Sequence, residues 1–371
     1  MKYFIALLLL LVVFTTKSQT VNNPQSEFTN TGIYHIDKIT LLDTATLVDV
    51  KINFLPNWWT TFSDKAYLEN ADTGEKYTVK KIEGAQFNTK LWTPISGDTS
   101  VRLIFPKLDK KVKRLNYGDD GKTSIYGISL QKSKTDKTKS IPDHVSKWMD
   151  GQIAGKKRKG DQNRFFANDS IKIVGYIKGY DKRAGFASGI IYHQNDLTGE
   201  NFPTTVRIYK DGRFECNMLA IHPISSNIFF NNQGIDFYAV PGTVTGIVLN
   251  WDDFLLADRY RDKRYTFKNV QYLGVNKSVN EMLASIKFIR PDYGKLEEYR
   301  EKQRPEDFKS MQLQSWEKAR KTADSTIAIK QTPDDIKKMI LNQVDLTYAN
   351  YLFTMEARAA ITKRKNPTMK F

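Results

Sequence analysis

The sequence predicts an α+β chain, with two antiparallel β-sandwich domains followed by a C-terminal helical hairpin. Three observations predict it. Apolar and polar side chains alternate in short runs between residues 33 and 130 and again between 169 and 275, the period of half-buried strands. Turn signals such as Asp72-Thr73-Gly74, Gly118-Asp119-Asp120-Gly121 and Pro241-Gly242 separate those runs. From residue 278 the apolar spacing lengthens to the helical period of about 3.6. With 371 residues, 40% of them hydrophobic and 12% aromatic, the chain has enough apolar material for more than one core.

Residues 1–18 read as a secretory signal peptide. Lys2 supplies the positive start, and Tyr3 to Phe14 is unbroken apolar sequence, too short for the ~20 residues of a membrane-crossing helix. Thr16 and Ser18 suit the small-residue positions before a cut that leaves Gln19 first. No second long apolar stretch occurs, so the mature chain is expected in the periplasm or cell envelope without a transmembrane span.

Residues 28–131 form the first expected sandwich. Val48, Val50, Ile52 and Phe54 face one way, as do Tyr77 with Val79, Val101 with Leu103 and Phe105, and Tyr126 with Ile128 and Leu130. Residues 132–168 read as a basic linker, with Val145, Trp148 and Met149 able to form a short docking turn. Residues 169–276 form the second sandwich. Ile171, Ile173 and Ile177 open it, a Lys210-Asp211-Gly212 hairpin stands in its middle, and Val244 to Trp251 close it. Alternation there puts Cys216 on one face with Phe214 and Met218, as a small core hydrophobe.

Residues 277–362 are expected to be helical. Ser278 and Glu281 have the spacing of a capping box ahead of Val279, Met282, Leu283 and Ile286. Pro305-Glu306-Asp307 and Thr332-Pro333-Asp334-Asp335 open two longer helices. The second carries a stripe of Ile336, Ile340, Val344, Thr347, Tyr351 and Leu352, and the two should pair as a hairpin joined near Lys330-Gln331-Thr332. The basic tail, 363–371, is expected to fray.

Charge and chemistry narrow the function. Fifty-seven Lys and Arg against 41 Asp and Glu give a formal charge of +16, and the single Cys216 excludes a Cys-x-x-Cys pair or a thiolate zinc cage. No phosphate-binding loop, nucleophile elbow or His-Glu-x-x-His helix occurs, so no catalytic residue, cofactor or metal is expected. His193 and His222 alone would make a weak metal site, and Asp252 and Asp253 after Trp251 suit a loop or helix cap better than convergent catalysis. Two groups remain as candidate binding residues. Trp58 and Trp59, after Pro56-Asn57, have the rings to stack on sugars, against the plainer role of plugging the first sandwich. Lys156, Lys157, Arg158 and Lys159 suit an anionic glycan or lipid surface, against the plainer role of a solvated linker. For an exported protein nucleic acid is not an expected partner.

Residues 173–181 (Ile-Val-Gly-Tyr-Ile-Lys-Gly-Tyr-Asp), 207–214 (Arg-Ile-Tyr-Lys-Asp-Gly-Arg-Phe), Phe237-Tyr238 before Pro241-Gly242, 249–254 (Leu-Asn-Trp-Asp-Asp-Phe) and 264–269 (Arg-Tyr-Thr-Phe-Lys-Asn) form an ordered set. Across about residues 170–360 this order resembles the amino-terminal region of large envelope TlpA-type thiol–disulfide oxidoreductases, and 28–130 is similar to a sandwich at the front of such chains. The resemblance implies secretion, β-sandwiches, protein partners in the envelope and a helical connector leading to a thioredoxin domain. That domain's paired cysteines have no counterpart up to Phe371, so none of the family's catalytic residues carries over. The expected function is a non-catalytic recognition or spacer protein, with a glycan- or polymer-binding module as the alternative.

Overall fold

The computed structural model of the protein describes residues 19–109, 111–119, 121, 123–131, 140–154, 166–167, 169–194, 200–260, 265–285, 305–329, 332 and 334–365. The expected signal peptide, the Lys156–Lys159 run, Ile286 and the last residues of the basic tail lie outside them. The described chain is α+β, rich in antiparallel sheet, with its long helices at the C-terminal end.

The first module contains β1 (Gln19–Asn22), β2 (Phe28–Thr29), β3 (Tyr34–Leu41), β4 (Ala45–Asn53), β5 (Trp59–Thr60), β6 (Tyr67–Asn70), β7 (Lys76–Thr78), β8 (Lys81–Glu83), β9 (Leu91–Trp92), β10 (Asp98–Pro106), β11 (Arg114–Asp119) and β12 (Thr123–Ser129). Two five-stranded sheets, β1-β3-β4-β10-β8 and β2-β12-β11-β6-β7, make the sandwich. Val48, Val50, Ile52, Leu103 and Phe105 of one sheet and Leu68, Leu115, Tyr117, Ile125 and Ile128 of the other share one core. β5 and β9 form a separate two-stranded ribbon.

One expected face is corrected. Tyr126 was placed inward with Ile128, yet Ile125 and Ile128 are the buried pair and Tyr126 turns out of this core. The cause is a register shift of β12 against β11 at Leu115/Tyr117, opposite Gly127 with φ +63°. A bulge there adds one residue and reverses the inward set.

Helix α1 (Asp143–Ala154) occupies the middle of the expected linker. Val145 and Met149 pack with Tyr176 and Val248 on the second module, so this stretch is a docked helix rather than an extended chain. Arg213 lies over the Trp148 ring at 5.1 Å, and Lys172 donates to Gln152 at 2.7 Å.

The second module contains β13 (Asp169–Lys178), β14 (Ser188–Gln194), β15 (Asn201–Ile208), β16 (Arg213–Ala220), β17 (Ile224–Phe230), β18 (Gln233–Ala239), β19 (Val244–Asn250), helix α2 (Trp251–Asp258) and β20 (Gln271–Leu273). Its layers belong to a single eight-stranded sheet, ordered β18-β17-β14-β15-β16-β13-β19-β20, with β13 and β19 parallel and the other neighbours antiparallel. The sheet rolls up on itself. Phe214 of β16 meets Phe230 of β17 at 5.1 Å, and the Tyr272 hydroxyl of β20 donates to the Asp236 carbonyl of β18, the opposite edge, at 2.7 Å. Gly175 leaves room for the Phe214 ring, since a Cβ there would fall 2.1 Å from Phe214 and 2.3 Å from the Ile247 carbonyl.

Helices α3 (Lys277–Ser285), α4 (Pro305–Ile329) and α5 (Asp334–Lys365) complete the chain. The expected capping box does not form. Ser278 already lies in the first turn of α3, and the Asn276 carbonyl accepts from Asn280 N–H at 3.0 Å. On α5 the buried stripe is Ile336, Ile340, Val344, Tyr348 and Tyr351, the first four packed with Ala319, Ala323 and Ile327 of α4 and Tyr351 with Phe308, with Tyr348 in place of the expected Thr347. Met282 and Leu283 of α3 rest against the same cluster. Residues 363–365 of the expected tail continue α5.

The two β modules are locked together. Phe28 of β2 belongs to the second module's core and stacks near Trp251 at 5.2 Å, while Trp251 Nε1 donates to the Thr29 carbonyl at 2.9 Å. Asp258 accepts from Thr31 Oγ1 at 3.0 Å and from Gly32 N at 3.1 Å, and Arg259 Nε donates to the Gly32 carbonyl at 2.6 Å. Tyr126, turned out by the bulge, receives the Arg183 guanidinium at 4.5 Å.

Candidate functional site

The β5–β9 ribbon positions the strongest candidate surface. Pro56-Asn57 reverses the chain, with Asn57 at φ +53°, a conformation asparagine tolerates better than most side chains. Trp58 N donates to Thr93 Oγ1 at 3.1 Å and Thr93 N to the Trp58 carbonyl at 2.7 Å, fixing the two strands at this end. Pairing then sets Trp59 opposite Trp92 and Thr60 opposite Leu91. Trp58 and Leu91 pack onto the first core, so the ribbon is anchored through its inward residues.

The outward residues make the surface. Trp59 is 38% exposed and Trp92 58% exposed, and Ile95 in the following turn is also exposed. Lys90 Nζ lies 4.5 Å from the Trp59 ring centre and 5.9 Å from that of Trp92, so one ammonium serves both rings. Lys90 is the only charged residue in the segments 56–62 and 86–97. Indole faces beside a cation can stack on the apolar face of a sugar ring or bind a planar group, without bond-making chemistry.

The adjacent tryptophans of the sequence reading therefore divide. Trp58 takes the core role and Trp59 the exposed one. Sequence reasoning missed Trp92 and Lys90, which are far from Trp59 in the chain. No local signal marks them, since β9 is only Leu91–Trp92 and what sets Trp92 beside Trp59 is the strand pairing. The other candidate group, Lys156 to Lys159, lies outside the described residues.

Elsewhere the weighed residues take structural roles. Asp253 is fully buried on α2 and accepts from Tyr265 Oη at 2.9 Å, Lys268 N at 3.3 Å and Asn269 N at 3.1 Å. It pins the 265–269 segment, and burial, followed by the hydrogen bond to Asp253, raises the Tyr265 pKa. Asn250 caps α2 by accepting from Asp252 N at 3.2 Å. Cys216 is buried, and loss of hydration pushes its thiol up to about 12, far from a reactive thiolate. His193 and His222 come together with ring centres 6.2 Å apart, but among the described residues no group of three or more His, Cys, Asp or Glu could hold a metal ion.

A shallow groove on the outer face of β3, β4, β10 and β8 is lined by Asp49, Glu83 and Arg102. Lys38, Asp49, Arg102 and Glu83 alternate in sign across the four strands, with Lys38–Asp49 at 3.1 Å and Arg102–Asp49 at 2.6 Å. The Arg102 hydrogen bond leads in holding the Asp49 carboxyl below its ordinary range. These charges satisfy one another across the sheet, which makes the row a cross-strand ladder.

No family model matches the chain, and no curated protein matches it. Among solved structures it is similar to a pullulanase from Anoxybacillus sp. LM18-11 crystallised with maltotriose, at 10% identity and a TM-score of 0.21, over 53% of this chain and 26% of that one. It is also similar to type I pullulanase of Bacillus subtilis str. 168 complexed with maltose, at 8% identity and a TM-score of 0.19, over 51% of this chain and 22% of that one. The match thus spans about a quarter of those enzymes, and TM-scores this low carry no argument about this chain's fold or activity.

Proposed function

We propose that this protein is a non-catalytic glycan-binding protein of the cell envelope, with the Trp59–Trp92 pair and Lys90 as its contact surface. The observation that carries the reading is two tryptophans left exposed side by side on a ribbon that other residues already hold in place. Withholding large aromatics from a core forgoes apolar burial, and exposed aromatic clusters of this kind serve recognition. Export is supported by Lys2 and by the apolar run from Tyr3 to Phe14, followed by the small residues Thr16 and Ser18. No helix among the described residues is long and apolar enough to cross a membrane.

Affinity electrophoresis of the full chain through a panel of soluble polysaccharides tests the reading. The doubly substituted Trp59→Ala/Trp92→Ala protein is expected to bind at least about thirtyfold more weakly, the loss of roughly 2 kcal/mol from two anchoring rings. Migration of the unsubstituted protein unaffected by every polymer, or retardation equal in the double variant, would overturn it.

A second reading, a spacer of the TlpA-type kind with protein partners, is favoured by a different observation. Phe28, Trp251, Asp258 and Arg259 lock the two β modules into one unit, and α3 ties the rolled sheet to the α4–α5 hairpin. A rigid body of that build suits holding two other domains at a fixed separation.

A further inference from the structure

We infer that Lys90 makes the tryptophan surface selective for acidic sugars, so that its ligand is a uronic-acid polymer. This rests on the platform reading proposed above and adds the ligand's charge to it. The Lys90 ammonium sits within cation–π distance of both ring centres, at 4.5 and 5.9 Å. Among the described residues it makes no ion pair, and no carboxylate occurs in the ribbon segments 56–62 and 86–97 to neutralise it.

A sugar that stacks on Trp59 must share or displace that ammonium. A neutral ring offers hydroxyls in exchange, which return little more than water does. A uronate ring stacks through its C–H face while its carboxylate, projecting from the ring edge, meets the ammonium as a charge-assisted hydrogen bond. The cation already held over the indoles is then pre-positioned for the ligand's anion rather than in its way. The protein's formal charge of +16 favours approach of any polyanion, but only Lys90 distinguishes a uronate stacked on these two rings.

The experiment compares polygalacturonate oligomers with the same oligomers after reduction of their carboxyl groups. Binding to the full chain is measured by calorimetry at low and raised salt. The acid form is expected to bind about fivefold more tightly than the reduced form, the scale of one exposed cation–π or ion contact. Lys90→Gln should abolish that preference by bringing the acid form down to the affinity of the reduced form, and the matched surface change Lys107→Gln should preserve it.

Equal affinity for the two forms, or a preference that survives Lys90→Gln, would overturn the selectivity and leave the platform intact. Polygalacturonate binding unchanged in Trp59→Ala/Trp92→Ala and lost only in salt would show non-specific charge and overturn it too. Binding to anionic phospholipid vesicles with no binding to either oligomer would overturn both the selectivity and the platform reading.

Discussion

At His35 the two β modules meet through a ring nitrogen that must choose its partner. Nε2 lies 2.8 Å from Arg259 Nη2 and 3.1 Å from the Gly32 carbonyl. A guanidinium only donates and a carbonyl only accepts, so Nε2 is unprotonated when it takes the Arg259 hydrogen bond and protonated when it donates to Gly32. Burial, then the Arg259 charge, lower the His35 pKa from its ordinary 6.5, with the Gly32 carbonyl opposing and Lys51 adding to the effect. The unfolded chain then binds a proton at His35 that the folded chain resists, so stability falls as pH drops below 6.5. Urea midpoints measured from neutrality down to roughly pH 5 should decline more steeply for the unsubstituted protein than for His35→Gln, and parallel slopes would refute this. None of it was legible in the sequence, because Arg259 is far along the chain and periodicity carries no information about such pairings. Cys216 was legible, since its neighbours Phe214 and Met218 fix its face by alternation alone. Trp92 and Lys90 were not, because a two-residue strand is too short to show a period.

At the scale of elements, α3 does more than its length suggests. Asn280 Oδ1 accepts from Tyr238 N at 2.7 Å, and Nδ2 donates to the Tyr238 carbonyl at 2.9 Å, as a neighbouring strand would. A side-chain amide thereby continues the ladder at β18, the end of the eight-strand order. Asn280→Ala should speed hydrogen exchange at the Tyr238 amide and cost about 1 kcal/mol, the scale of losing hydrogen bonds to part-buried backbone groups. Protection at Tyr238 unchanged in the variant would show that the amide is held otherwise. The existence of α3 could be read from its spacing, but its cap could not. Ser278 and Glu281 matched a local pattern, while Asn276 won the position through tertiary bonds from Nδ2 to Thr243 Oγ1 at 2.9 Å and Thr245 Oγ1 at 3.2 Å. Likewise β12 was visible and its bulge was not, since one glycine does not announce which partner residue it slips past.

For the whole molecule, Gly32 sets whether the β modules act as one. A Cβ at this position would lie 1.8 Å from the Leu255 carbonyl oxygen, so no side chain fits unless the modules part. Gly32→Ala should destabilise the protein by about 1–3 kcal/mol and split a single thermal transition into two, because the shared Phe28–Trp251 contact is lost with the seam. Calorimetry showing one unshifted transition would mean that the seam carries no cooperativity. Two β-rich regions and a helical end followed from periodicity, which reports which face of each element is buried. The seam itself, and the rolling of one sheet into two layers, depend on contacts between Phe28 and Trp251 and between Tyr272 and Asp236 that no local pattern encodes.

The bridge from Tyr272 to Asp236 has a bearing on how the molecule keeps company with its own kind. By tying the first strand of the eight to the last, and with Asn280 lying along one of them, it covers the rims of that sheet at these two points. A neighbour seeking to add its own backbone there would first have to pull the roll open, which turns a surface habit common to β proteins into an activated event.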